Sequence, residues 1–384
     1  MPSNPFAGAQ LTINLDAVAA NWRLLGARLK DGARAAAVVK ADGYGLGLAD
    51  VAPALHAAGC GDFFVASLDE GIALRGLLAG CQIYVIFGPT PEDAAEYSRH
   101  RLVPVLNDLG QIETWRANSR HGGAATALLQ IDTGMSRLGL APNELARLAG
   151  EPERLHGIGI AYVMSHLACA EQSGHEMNAR QLAEFQAALK SLAASAPRKM
   201  PGGASLANSS GIFLGADYHF DLVRPGAALY GLNPTPEYSN PMAEVVRLQG
   251  KIQQVRCVDS FRSVGYGAAH VVTRPSRIAT VPVGYADGYL RSAGNPAGNQ
   301  ACGYVGGIRA PVVGRVSMDM ITLDVTEIPE ELVQPGATVD LIGGRHPVDA
   351  FAAAAGTIGY EVLTALGQRY RRRYIENGEE RAAG

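Results

Sequence analysis

The 384-residue sequence has no uninterrupted apolar run of roughly 18 residues, the length a membrane-spanning helix needs, so no transmembrane segment is expected. It also has little net charge. Lys and Arg total 33 against 36 Asp and Glu, and the resulting −3 gives neither nucleic acid nor an anionic membrane surface an electrostatic hold. Cysteine is scarce. Cys60, Cys81, Cys169, Cys257 and Cys302 are odd in number, widely spaced and form no Cys-x-x-Cys pair. That pattern argues for reduced thiols and against a disulfide framework or zinc ligands, so no metal is expected. The stretch 1–10 lacks a basic region followed by an apolar core, and no secretory signal is read there; a cytoplasmic protein is the expectation. No internal repeat stands out.

What is there is a globular composition, 47% hydrophobic and 18% charged, in a chain comfortable for two domains. Apolar runs recur at 35–39, 63–66, 83–87, 102–106, 127–131, 158–164, 204–207 and 222–223. Alanine- and leucine-rich amphipathic segments such as 51–58, 70–78, 144–149 and 178–192 lie between them. Eight buried-type strands alternating with helices predict a (β/α)8 barrel of the TIM type. A doubly wound open sheet is the alternative, but no Gly-x-Gly-x-x-Gly turn follows the first strand. Leu11-Thr12-Ile13-Asn14 reads as a short strand, with Asp16 expected to cap a helix through Val18, Trp22, Leu25 and Leu29. Pro234, Pro236 and Pro241 mark a linker. Beyond it, short β-type runs at 245–258, 278–283, 310–316, 320–325 and 338–342 predict a mostly β C-terminal domain. A helical stretch over 348–374 is expected to close it, with the arginines of 369–374 at a solvated helix end. The division falls at residue 236: a barrel over 1–236 and a β-rich domain over 237–384, with 1–14 free to pair with the latter.

Several strand ends carry chemistry. The first apolar run stops in Lys40, followed by Ala41-Asp42-Gly43-Tyr44-Gly45. An amine at a barrel strand's C-terminal end, flanked by Val39 and Ala41, loses hydration and is suited to Schiff-base chemistry. Asp132 to Gly139 frame a loop that carries Arg137, and His166 follows the sixth run. Ser209 and Ser210 follow the seventh, beside Gly211, where unpaired first-turn amides favour an anion. Arg224 and Gly226 follow the eighth; in barrels, a phosphate is often held after strands seven and eight. In the β-rich part, Tyr266 stands between Gly265 and Gly267, exposed enough for a phenol to act as acid or base. The segments around Met318 and Tyr360 are similarly glycine-bracketed, and Asp287 reads as a turn residue.

In this combination and order, Lys40–Tyr44, the Asp132–Arg137 loop, 223–231 and 264–267 resemble the alanine racemase family, pyridoxal 5'-phosphate (PLP) enzymes with a barrel and a C-terminal β domain. The resemblance covers nearly the whole chain. It implies that Lys40 holds PLP and is one of two bases, and that Tyr266, supplied by the second subunit of a homodimer, is the other. It assigns His166 to Tyr266 and Arg224 to the pyridine nitrogen. Tyr44, Ser209, Gly226 and Tyr360 go to the phosphate, Arg137 to the phenolic oxygen and substrate carboxylate, and Met318 to the partner's carboxylate site. The implied reaction is interconversion of L- and D-alanine, for peptidoglycan or for breakdown of D-alanine.

Three positions depart from the family pattern. Gln130 stands where many members have a carbamylated lysine that orients the arginine, so no carbamate is expected here and Arg137 is expected to be less fixed. Leu46 and Ser317 stand where others often have His and Cys. The alternatives are a broad-specificity amino-acid racemase, a decarboxylase of the ornithine-decarboxylase type, and a PLP-binding protein without turnover. Arg224 speaks against the decarboxylase, which would use an acidic partner for the ring nitrogen. Tyr266 and the full β domain speak against the last.

Overall fold

Asp62–Val65, Gln82–Val85 and Val103–Leu106 are buried at nearly every residue, as expected of parallel strands covered on both faces. In the computed structural model, which describes residues 8–119, 125–195, 202–294 and 301–382, these strands belong to one parallel sheet. It runs in chain order from Ala37–Val38 through Ala125–Gln130 and Ile158–Met164 to Gly203–Ser205. An eighth strand, Leu222–Val223, pairs in parallel with Arg34–Ala35 and bridges back to the seventh at Asn208 and Arg224. The amides of Ala36 and Val38 donate to the carbonyls of Val223 and Pro225, both at 2.9 Å, and close the ring. The (β/α)8 barrel read from the sequence is therefore observed.

Its last two connections are tighter than expected. After Ser209 and Ser210 the chain makes only a short 3-10 turn, Gly211–Leu214, stopped by Gly215 at φ 119°. Ala227–Tyr230 is another such turn after the eighth strand. Both keep backbone amides close to the barrel mouth, where a full helix would carry the chain away.

Ala9–Asn14 leaves the barrel altogether. It alternates buried and half-buried residues and lies between Val246–Lys251, antiparallel, and Arg371–Glu376, parallel, in a seven-stranded mixed sheet. The helix that follows, Leu15–Gly26, is capped by Asn14, whose Oδ1 accepts from Ala17 N at 3.0 Å, and not by Asp16. Asp16 instead accepts the amides of Asn377 and Gly378 at 2.9 and 2.8 Å.

The expected closing helix over 348–374 is also corrected. Two short helices, Val348–Ala355 and Gly359–Ala365, are followed by the strand Arg371–Glu376, which turns at Asn377 and Gly378 into Glu379–Ala382. Gly356, at φ 72°, ends the first helix; Arg371 and Arg373 then alternate with Arg372 and Tyr374, which face the core. A three-stranded antiparallel sheet, Gln254–Val258, Ser276–Val281 and Ile321–Asp324, completes the C-terminal part. One apolar core runs from Phe63 and Val105 in the barrel to Leu248, Leu341 and Phe351 beyond it. A small separate cluster, Val264, Val272, Ile278 and Val313, supports the hairpin whose connection carries Tyr266.

Candidate active site

Lys40 leaves the first barrel strand on an unusual backbone. Ala41, Asp42 and Tyr44 have φ of 53°, 55° and 57°, and Gly43 and Gly45 have 62° and 81°. The amides of Gly43 and Gly45 donate to the carbonyls of Val39 and Ala41, so the segment is one turn of left-handed helix. For the three residues with side chains, this costs roughly 3–6 kcal/mol in total, at about 1–2 kcal/mol each. Such a turn persists only when its surroundings over-determine it. Asp42 Oδ1 accepts the amide of Leu48 at 2.7 Å, Glu70 Oε1 that of Ala41 at 2.7 Å, and Tyr374 Oη donates to the carbonyl of Leu46 at 2.9 Å. Gly45 lies so close to the Leu363 carbonyl that a Cβ there would sit 2.4 Å from it.

The turn delivers the Lys40 amine into a cavity of about 550 Å³ at the C-terminal ends of the barrel strands. Its pKa is lowered, first by burial and then by the facing charge of Arg137, with the Glu70 carboxylate opposing the fall. The Arg137 loop is shaped by Asp132, whose Oδ1 accepts the amides of Gly134, Met135 and Ser136 at 2.9–3.0 Å. Gln130, buried at the cavity wall, donates its amide to the carbonyl of Leu138 at 3.2 Å. Among the described residues, the Arg137 side chain has neither a hydrogen bond nor an ion pair, so Gln130 steadies the loop and leaves the guanidinium unclamped.

The opposite wall is rigid and cationic. Arg224, 4% exposed, donates to Ser205 Oγ and to the carbonyl of Ser165, both at 2.5 Å. Burial lowers its pKa to about 10, which still leaves it charged near neutrality. His166, the residue after Ser165, is pushed down to about 3 by burial and by the charges of Arg224, Arg137 and Lys40. It is a neutral imidazole among cations. Gln181, wholly buried, holds this segment from behind: its amide donates to the His166 carbonyl at 2.9 Å and its Oε1 accepts the Ala168 amide at 2.8 Å.

At one end of the cavity, Ser209 Oγ accepts the amides of Gly226 and Ala228 at 3.0 and 3.2 Å, which leaves its own proton to donate. A Cβ at Gly226 would lie 2.3 Å from the Tyr44 hydroxyl, so glycine keeps open the groove between them. Tyr44 stacks on Tyr230 with ring centroids 4.6 Å apart and lies 6.1 Å from the Tyr360 ring. Burial raises both Tyr44 and Tyr360, the latter to about 12, so both stay protonated donors.

Lys40, Tyr44, Arg137, His166, Ser209, Arg224, Gly226 and Tyr360 thus line one cavity. Tyr266 and Met318 do not. They lie outside it on the C-terminal part, 69% and 53% exposed. Asp287 is more than a turn residue: buried, it accepts the amide of Gly284 and pairs with Arg369 at 3.0 Å. The sequence reading passed over Glu70, over Glu171, which lines the cavity, and over Gln181. Of these, only Glu70 had a signal, the Ser67-x-x-Glu70 pattern of a capping box, which the helix Leu68–Leu77 indeed uses. Among the described residues, no group of three or more His, Cys, Asp or Glu side chains is arranged to hold a metal.

Fold and cavity define a barrel enzyme whose amine and surrounding cations suit an anionic, amine-reactive ligand. Residues 13–234 match the family description "Alanine racemase, N-terminal domain" and residues 245–374 "Alanine racemase, C-terminal domain". The chain is 52% identical to an alanine racemase of Rhodospirillum rubrum, over 96% of both chains. It is 47% identical to a catabolic alanine racemase of Mesorhizobium japonicum, over 97% of this chain and 95% of that one. Among solved structures, the alanine racemase of Bartonella henselae with covalently bound pyridoxal phosphate superposes with a TM-score of 0.89 at 38% identity, covering 97% of this chain and all of that one. The chain belongs to the alanine racemase family.

Proposed function

We propose that the protein interconverts L- and D-alanine with PLP, using Lys40 and the partner subunit's Tyr266 as opposed bases. The observation that carries the reading is the convergence of a depressed-pKa amine, two arginines, a neutral histidine and a hydroxyl-and-amide cradle on one cavity. That donor set fits PLP: the cradle of Ser209, Gly226, Tyr44 and Tyr360 for the phosphate, the Lys40 amine for the aldehyde, and Arg224 for the ring nitrogen. Bound there, PLP would supply a carbonyl for covalent attachment and an electron-withdrawing ring that acidifies the substrate's Cα–H.

Racemisation removes a proton from one face of Cα and returns one to the other, so a proton carrier is needed on each side. Lys40 Nζ serves one face; its lowered pKa leaves a larger neutral fraction able to accept. The partner subunit's Tyr266 serves the other through its phenolic oxygen, with neutral His166 accepting from it. Arg224, held by Ser205 and Ser165, would face the ring nitrogen of bound PLP and, as a guanidinium, would not yield its proton to it, which would limit side reactions. Arg137 and the partner subunit's Met318 receive the substrate carboxylate. In this reading, residues 1–236 hold the cofactor with Tyr360 as the one phosphate ligand from beyond them, and 237–384 supply the dimer contacts, in the cytoplasm. Among the described residues, no helix is long and apolar enough to cross a membrane.

The test is conversion of L-alanine by the purified protein. Racemisation is expected, and Tyr266→Phe is expected to lower kcat by about 10²–10⁴-fold, the usual contribution of a positioned acid or base. A Tyr266→Phe enzyme with unchanged kcat overturns the two-base assignment. The unclamped Arg137 favours a second reading, a racemase of broader specificity, so L-serine and L-lysine belong in the same assay.

A further inference from the structure

Glu70 lies outside the cavity, yet it is the only side chain hydrogen-bonded to both strand-end loops that frame the lysine, among the described residues. Its Oε1 accepts the amide of Ala41 and its Oε2 that of Ala66, each at 2.7 Å. The first of these amides lies next to Lys40 at the start of the left-handed turn. The second follows Asp62–Val65, the strand beside the lysine strand in the barrel sheet. Glu70 is itself fixed, because its amide donates to Ser67 Oγ at 3.4 Å and the Ser67 amide reaches back to Oε2 at 3.4 Å. A helix cap needs only the Ser67 part of this arrangement. The bond to Ala41 goes beyond it, and it falls where the backbone is most strained.

We propose that Glu70 is the positioning residue of the lysine turn: its carboxylate staples the first loop to the second and locks the left-handed backbone that aims Lys40 into the cavity. The importance of that aim rests on the role given to Lys40 above, but the staple is a statement about backbone and stands apart from it. Two bonds to one anionic acceptor are stronger than neutral ones and fix direction as well as distance. The carboxylate's charge also acts on the amine itself, holding up a pKa that burial and Arg137 lower.

The test is hydrogen–deuterium exchange by mass spectrometry on the cofactor-loaded enzyme, following the peptide over residues 40–46 in Glu70→Ala, Ser67→Ala and wild type. Glu70→Ala is expected to speed exchange of that peptide by about tenfold, the equivalent of one charge-assisted bond, while Ser67→Ala, which loosens the cap but keeps the carboxylate, changes it by less than about twofold. Exchange over Asp62–Val65 reports whether the barrel is intact. If Glu70→Ala does not fold, Glu70→Gln keeps one acceptor oxygen and is expected to show a smaller rise, about threefold. In kinetics, a misaimed base lowers kcat for L-alanine about tenfold with KM within about twofold. Wild-type exchange over 40–46 without the carboxylate overturns the proposal. So does an equal rise in Ser67→Ala, because the cap alone would then explain it. Failure of the Lys40 assignment shows differently, as racemisation by Lys40→Ala, whatever the exchange pattern.

Discussion

Lys40 and His166 are both bases whose proton affinity the fold suppresses, and the reason is shared. Each loses hydration in the cavity and faces the charge of Arg137, and among the described residues neither side chain forms an ion pair with a carboxylate. For His166 this has a consequence for stability. The unfolded chain takes up its proton near pH 6.5, whereas the folded one resists down to about 3. Between those values the unfolded state binds more protons, so stability falls as the pH drops through the window. Above the upper value both states are neutral and the contribution is fully present. His166→Gln removes the titration. Urea unfolding of the cofactor-free variant is expected to lose less stability than wild type on going from neutral pH to pH 4. Parallel acid profiles for the two proteins would mean that His166 protonates in the folded chain as readily as in the unfolded one.

The lysine turn shows how elements far apart in the chain share one task. Glu70 holds it from the barrel, while Tyr374, on the strand Arg371–Glu376, reaches the carbonyl of Leu46 at its exit. The same C-terminal hairpin is tied down by Arg381, which pairs with Asp50 at 2.8 Å and lies over the Tyr374 ring. Tyr374→Phe keeps the ring and removes one buried hydrogen bond, so a loss of about 1–2 kcal/mol is expected by denaturant unfolding. A midpoint and slope equal to wild type would show that the bond contributes nothing. Little of this could be read from sequence. The barrel strands were legible because an apolar run bounded by glycine and polar residues is a local signal, and Lys40, His166 and Arg224 sit at the ends of such runs. The turn's handedness was not, because Ala41 has no local preference for positive φ, Asp42 only a slight one, and the run of them is held by long-range restraint. The segment 371–376 misled for a similar reason. Three consecutive arginines suggest a solvated helix end, but pairing with Ala9–Asn14 gives them a strand's alternation and buries Arg372 and Tyr374.

At the scale of the whole molecule, the cavity and the phenol lie on different surfaces of one chain. Tyr266, Met318, Met320 and Tyr285 are all substantially exposed, and the segments of the last three are joined: the amides of Tyr285 and Ala286 donate to the carbonyls of Ser317 and Met318. Apolar exposure of that kind is typical of a surface that a partner covers. Under the proposed function, a twofold dimer would make the arrangement reciprocal, each subunit giving its Tyr266 to the other's Lys40. Complementation tests this directly. Lys40→Ala and Tyr266→Phe homodimers each lack one base at both sites and are expected to be inactive in at least one proton transfer. When the two variants are unfolded together and refolded in equal amounts, half of the dimers are mixed. Each mixed dimer has one site with both substitutions and one with neither. The refolded mixture is therefore expected to recover about a quarter of wild-type activity, set only by random pairing across the symmetric interface. If both bases instead belonged to one chain, mixing would restore nothing, since no site in any dimer would hold the pair. Recovery that falls on dilution, in step with loss of the dimer measured by sedimentation, ties the activity to the shared interface.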